Sequence, residues 1–278
     1  MSNFIKDEAI CLRVIDFSET SQVVTLFVRT AGLVSLLAKG TRKIPARTRS
    51  PAPEPLDLFS FGQVVFILPR GSSELGTLSS WQVLDHHPAL RRSLKALYCA
   101  QMAAEITLLL LNQLDPHPEL FDQLRCALEA FPGPDPQRML LAYMKAALSL
   151  TGYQPRLDAC CVCSKPSSAA STLVFVPTLG GICCRDCTRD RTAVKITPVL
   201  ALALDRLPPP RSLQNSGAPS PAAKPPDPAA LLLAAKLLIA HISSVTEHKL
   251  RTESLTKIIF GAAKNTSSTA QLSSRVSR

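Results

Sequence analysis

Apolar residues in the first 83 positions come in short runs. Ala9–Ile15, Gln22–Val28, Leu33–Ala38, Gln63–Leu68 and Thr77–Val83 are rich in Val, Ile, Leu, Phe and Thr, side chains that suit a pleated, half-buried surface. Turn-forming breaks at Asp16–Ser21, Thr30–Gly32, Gly40–Phe61 and Pro69–Gly76 separate them. The third break carries Pro51, Pro53 and Pro55, which cannot donate to a strand ladder. Five short strands with no helix between most of them predict a small closed barrel over residues 1–83.

From Pro88 the apolar period lengthens. Leu90, Leu94, Leu97, Ala104, Leu108 and Leu111 recur at helical spacing, with Pro88 as the first helical residue. His117–Ala130 reads as a second helix. A third runs from Asp135, a suitable N-cap, to about Thr151, where Gly152 stops it. Helical residues 84–156 then give way to a cysteine-bearing insert at 157–188, and helix resumes over 189–262, first at Val194–Leu207. Residues 208–228 hold eight prolines and read as a linker without a fold of its own. Ala229–Lys249 is apolar nearly all round and reads as a buried helix. Thr252–Phe260 adds a final turn or two, and the Ser/Thr-rich basic tail, 263–278, is expected to be disordered. The predicted fold class is α+β: a five-stranded, OB-type β-barrel followed by an all-α domain that carries a four-cysteine zinc-finger insert.

Composition narrows the function classes. With 46% hydrophobic residues the chain can bury a sizeable core, which excludes wholesale disorder. The formal charge of +10 favours polyanionic partners. Lys6, Asp7 and Glu8 stand where the apolar core of a secretory signal would lie. The most apolar run, Ala229–Ile242, contains Lys236 and His241 and reads as a core helix rather than a membrane span. The expectation is a cytoplasmic, reducing location, where nine cysteines bind metal more readily than they form disulfides.

Cys160 and Cys163, then Cys184 and Cys187, form two C-x2-C pairs separated by twenty residues. Each pair aims two thiolates at one point, and two pairs complete a tetrahedral zinc site with no position left for water. That argues for one structural Zn2+ over a catalytic one, and over four ordinary buried thiols. A deaminase-type zinc would need a His-x-Glu motif, and none occurs; His86, His87, His117, His241 and His248 all lie far from the cysteines in sequence. Cys161 and Cys183 each adjoin a candidate ligand, and the two-residue spacing selects Cys160 and Cys184 instead. Cys11, Cys99 and Cys126 read as core filler.

A basic stretch follows the third predicted strand: Lys39, Arg42, Lys43, Arg47 and Arg49, with no acid among them. On a small barrel such a loop suits phosphate contacts, although a merely solvated loop has the same composition. Aromatic stacking platforms are few, Phe17, Phe27 and Phe59 being the nearest. Glu105, amid apolar residues, reads as the partner of an Arg or Lys rather than as a general acid. His241, Lys249, Arg251 and Lys257 are a weaker candidate surface for an acidic peptide. No nucleophile elbow or phosphate-cradling glycine loop is present.

The run Leu150–Cys163 (LTGYQPRLDACCVC) and the run Gly180–Cys187 (GGICCRDC) resemble the L-G-Y-x-P-x-L-x-x-C-x-x-C and G-G-x-x-C-x-x-C signatures of the bacterial RecO family. Ala9–Arg13, Glu19 with Ser21, Val24–Phe27, Leu37–Arg42 and Leu250–Leu255 are similar to its opening strands and closing helix, in the same order. Thr151 between Leu150 and Gly152, the doubled cysteines and the two proline-rich stretches depart from the pattern. The resemblance implies a DNA repair and recombination mediator that is not an enzyme. Such a protein binds single- and double-stranded DNA, anneals complementary strands and helps load the recombinase together with RecR. It also contacts the acidic C-terminal tail of single-stranded DNA-binding protein. On that reading Arg13 joins Lys39, Arg42, Lys43, Arg47 and Arg49 on the DNA-binding barrel. A zinc-ribbon adaptor that binds protein alone is the alternative.

Overall fold

Strand β1 (Phe4–Asp16) is long enough to serve two neighbours. Its first half pairs with β4 (Phe61–Ile67) and its second with β2 (Ser21–Val28). A bulge between Cys11 and Arg13 bends it between the two tasks. With β3 (Gly32–Lys39) and β5 (Gly76–Asp85) the strands close into a barrel in the order β1-β2-β3-β5-β4. All pairings are antiparallel except the short β3–β5 contact at Leu36 and Leu37. The computed structural model describes residues 4–39, 56–68, 75–169, 172–188, 193–215 and 227–261. Every strand is longer than its apolar run in the sequence; β4 starts two residues earlier and stops at Ile67 rather than Leu68, and β5 reaches Asp85 rather than 83.

Alternate residues of these strands fill the barrel. Val24, Leu26, Val28, Val34, Leu36, Ala38, Val64, Phe66 and Trp81 form its interior. The other face is shared between solvent and the helices. Phe27 and Leu33 point outward from β2 and β3 into a second, larger core with α1 (Leu94–Leu110), α2 (Pro118–Ala130) and α3 (Pro136–Leu150). Phe121 of α2 is its junction, with ring centroids 5.5 Å from Phe27 and 6.4 Å from Phe61. Gly32 permits the close approach: at φ 75° its backbone carries no Cβ, which would stand 2.2 Å from the Asp115 carbonyl oxygen.

The caps explain the helix boundaries. Asp135 accepts from the Arg138 amide at the start of α3, and Gly152, at φ 84°, follows its end. Pro88 opens a 3-10 turn, Pro88–Arg92, rather than the α-helix. Ser93, in extended conformation, then caps α1 by accepting from Ala96.

The insert holds a small sheet in the order β7-β6-β8, built from β6 (Leu173–Val176), β7 (Gly181–Cys184) and β8 (Val194–Ile196). The helix expected at Val194–Leu207 is therefore shorter. Its first three residues, two of them β-branched, pair with β6, and α4 (Pro198–Asp205) begins after Thr197, whose hydroxyl accepts from Leu200. The insert thus runs past 188. Part of the expected linker is also folded, as α5 (Pro210–Asn215). Pro51–Pro55, residues 216–226 and the basic tail lie outside the described residues.

Helix α6 (Pro228–Thr246) is, by length and composition alone, apolar enough to cross a membrane. Here Ala234, Ala235, Leu237, Leu238, Ile239 and Ile242 pack into the core beside α1 and α3, while Lys236 stays exposed. A 3-10 turn, Arg251–Leu255, and α7 (Thr256–Phe260) close the described chain.

Candidate metal centre and nucleic-acid face

The two cysteine pairs sit on two tight turns that face each other. In the first, the Ser164 amide donates to the Cys160 carbonyl and the Cys160 amide to Lys165, with Ser164 left-handed at φ 58°. In the second, β7 delivers Cys184 and a 3-10 turn, Arg185–Cys187, folds Cys187 back beside it. The Thr188 hydroxyl donates to the Cys184 carbonyl and holds that turn closed. The sulfurs of Cys160, Cys163, Cys184 and Cys187 all lie within 4.8 Å of one another. Those of Cys163 and Cys184 are 3.7 Å apart, against about 3.8 Å for two corners of a tetrahedral zinc–thiolate site. The set is able to hold a metal ion.

The electrostatics of the cluster favour a cation. Burial pushes the Cys160 thiol up, but the amides of Cys163, Cys184 and Val162 outweigh it and bring the group down to about 6. Cys187 moves the other way, to about 12, because neighbouring Cys184 and Cys163 hydrogen-bond its protonated form. Four thiols this close cannot all ionise unaided; a dication at their centre allows it.

Cys161 and Cys183 have separate places. The Cys161 amide donates to Ile182, and its sulfur lies over Gly181, 2.7 Å from where a Cβ would stand. Cys183 is fully buried. Cys161 also lines a cavity of about 510 Å³ between the insert and α6, with Tyr153, Arg156, Gly180 and His241. His241 is not part of a surface for an acidic peptide. It is 3% exposed, and its ring nitrogens lie 3.2 Å and 2.8 Å from the carbonyl oxygens of Pro177 and Tyr153. It fastens the insert to α6. Glu105 likewise has another role than the expected one. Its carboxylate accepts from the amides of Arg251 and Thr252, at 2.6 Å and 2.9 Å, and so caps the 3-10 turn before α7.

Of the basic barrel residues, Arg13 and Lys39 are described and both are exposed; Arg42, Lys43, Arg47 and Arg49 lie outside the described residues. The register brings Arg13 and Lys39 to one face. Arg13 pairs with Thr25 and Thr25 with Ser35, whereas Lys39 pairs with Ser21, four residues earlier on the shared middle strand. Two of the three candidate stacking residues are excluded: Phe27 and Phe59 are buried, the first against Phe121. Phe17 remains, 66% exposed at the tip of the β1–β2 hairpin. Ile15 lies on the same face, 44% exposed, and is not singled out in the sequence. The i, i+2 alternation from Arg13 is the signal that places it there.

Comparison with known proteins places these features in one family. Residues 1–87 match the family model described as recombination protein O N terminal, and residues 91–252 match recombination protein O C terminal. A protein of Rhodopirellula baltica named DNA repair protein RecO is 34% identical over 181 residues, covering 64% of this chain and 65% of that protein. The chain thus spans just under two thirds of that relative. A DNA repair protein RecO of Anaeromyxobacter sp. strain K is 34% identical over 227 residues, covering 81% of this chain and 85% of its own. Another, from Syntrophus aciditrophicus, is 29% identical over 195 residues, with 70% and 73% covered. A closed five-stranded barrel, a helical region and a four-cysteine cluster thus meet matches to both family models in order: the chain belongs to the recombination protein O (RecO) family.

Proposed function

We propose that this chain is a DNA repair and recombination mediator that works by binding rather than by catalysis. It binds single- and double-stranded DNA through the barrel and promotes annealing of complementary strands. It assists recombinase loading together with RecR and contacts the acidic C-terminal tail of single-stranded DNA-binding protein. A nucleoid-associated, cytoplasmic location follows from that role. The observation that carries the reading is the exposed β1–β3 face, with Arg13 and Lys39 on it and the basic stretch Arg42, Lys43, Arg47 and Arg49 continuing directly from Lys39 in sequence. The relatives' printed name, DNA repair protein RecO, supports the same class.

The physics of the role is charge neutralisation. Two complementary strands repel through their phosphates. A protein that places cations beside both lowers that repulsion and lets base pairing proceed. Cys160, Cys163, Cys184 and Cys187 hold one structural Zn2+, which ties the two turns together and leaves no ligand position for substrate. The cation organises the insert and performs no chemistry.

A titration of labelled oligonucleotides by fluorescence anisotropy tests this. With ~5 phosphate contacts, log K against log salt should slope about −3.5 on single strands. Replacing Arg42, Lys43 and Arg47 together by Ala should weaken binding and flatten the slope. Unchanged affinity in that triple variant removes the basic stretch from the mechanism. No binding at low salt sinks the DNA reading and leaves the protein-binding adaptor.

A further inference from the structure

The outward side chains of β1, β2 and β3 form a grid that is half covered and half open. Following β2 outward, Phe27 is fully buried beneath the helices and Thr25 is 9% exposed. Val23 and Ser21 beyond them are only half-buried. The register sets their neighbours. Arg13, Thr25 and Ser35 make one row, and Ile15, Val23 and Leu37 make the next. Ser21 and Lys39 make the last, and the Phe17 amide donates to the Ser21 carbonyl at its open end. An apolar row therefore lies between two cations at opposite corners, with an exposed aromatic ring at a third.

The turn that carries Phe17 is closed by hydrogen bonds. The amides of Phe17 and Ser18 both donate to the Ser21 carbonyl. The Ser18 hydroxyl in turn accepts from the amides of Thr20 and Ser21. The backbone of the tip is fixed in this way, and the Phe17 ring is left 66% exposed beside the apolar row. Asp16, immediately before it, belongs to the opposite face, where the Gln22 side chain donates to it. Glu19 stands at the apex of the turn, beyond the grid.

We propose that this open half-face is a seat for unpaired nucleobases, with Phe17 as the stacking platform and the Ile15–Val23–Leu37 row as the apolar floor. Arg13 and Lys39 stand about 16 Å apart by strand spacing and rise, so that they hold phosphates on either side of the seated bases. The occupant is a single strand, because only unpaired bases present a free π-face to Phe17, and every base presents one. A duplex shows the protein its phosphates and reaches Arg13 and Lys39 without using the ring. The inference rests on the DNA-binding reading above and adds to it the group that distinguishes single from double strands.

The test compares Phe17→Leu, Phe17→Tyr and the double variant Arg13→Ala/Lys39→Ala. The probes are a labelled oligothymidine strand and a blunt duplex of equal length. Phe17→Leu keeps the bulk and loses the ring; it should weaken single-strand binding roughly tenfold or more and leave duplex affinity within about twofold. Phe17→Tyr should restore single-strand affinity. Arg13→Ala/Lys39→Ala should weaken both forms. If Phe17→Leu leaves single-strand affinity intact while the cation variant weakens it, the base seat is wrong and DNA binding stands. An equal loss on both forms in Phe17→Leu also overturns the seat. If the unaltered protein binds neither probe, the DNA reading itself fails, and the face belongs to a protein partner.

Discussion

Arg29 on the barrel reaches across to Asp122 on α2 and meets its carboxylate with both terminal guanidinium nitrogens, Nη1 and Nη2, at 2.8 Å and 2.9 Å. The same guanidinium lies 5.6 Å from the centre of the Phe121 ring and 3.3 Å from Glu8. A charged fork thus rims the aromatic junction at which Phe27 and Phe61 meet Phe121. Barrel and helices are joined by an apolar contact with an ion pair at its edge, so the barrel and the helical half that carries the cysteine cluster share one fold.

Breaking that pair should loosen the junction. Asp122 is 17% exposed in its side chain and Arg29 34%, so the fork is only partly screened. Arg29→Ala or Asp122→Asn should cost about 1–2 kcal/mol in urea denaturation. Glu8→Gln, at the more exposed contact, should cost under about 0.5 kcal/mol. Equal effects from Glu8→Gln and Asp122→Asn would contradict this ranking.

The cysteine assignment makes a four-way prediction. Cys160→Ser and Cys184→Ser should lose stoichiometric zinc, whereas Cys161→Ser and Cys183→Ser should keep it, as read by metal analysis of the purified variants. If zinc orders the insert and the barrel meets the phosphates, as proposed, chelation should lower the melting temperature more than it lowers DNA affinity. Retained zinc in both of the first pair would overturn the ligand set.

Alkali should weaken the fold through two thiols outside the four-cysteine cluster. Burial pushes Cys11 and Cys99 up to about 12 from an ordinary value of 9.0. A raised value means the fold favours the protonated form. That stabilisation is complete below pH 9 and is lost as pH climbs towards 12. The slope is about 1.4 kcal/mol per pH unit for each thiol within that window. Urea midpoints at about pH 8 and about pH 10.5 should therefore diverge, and by less in Cys11→Val. An identical divergence in that variant would show that Cys11 carries none of it.

Glu105 holds the end of the described chain. Its carboxylate accepts from two amides and from the Thr252 hydroxyl at 2.5 Å. Glu105→Ala should cost about 1–3 kcal/mol and open Arg251–Phe260 to proteolysis. Glu105→Gln retains one acceptor and should cost less. Resistance to protease equal to that of the unaltered chain would remove the capping role.

Local chemistry was legible from the residues alone. Strand runs, the Asp135 cap, the Gly152 stop and the two C-x2-C turns each depend on neighbours within a few positions, so spacing and propensity suffice to find them. The RecO resemblance rested on the same short motifs, and the family matches agree with it. What the chain order could not reveal was which outward strand residues the helices would cover. Phe17 and Phe27 both belong to strand or hairpin segments with alternating patterns. Only the docking of Phe121 buries one and leaves the other in water. The same holds for β8, whose three residues become a strand because β6 lies beside them, and for Glu105 and His241, whose partners are distant backbone groups. Contacts between residues far apart in sequence are set by packing, and packing is decided only when the whole core closes.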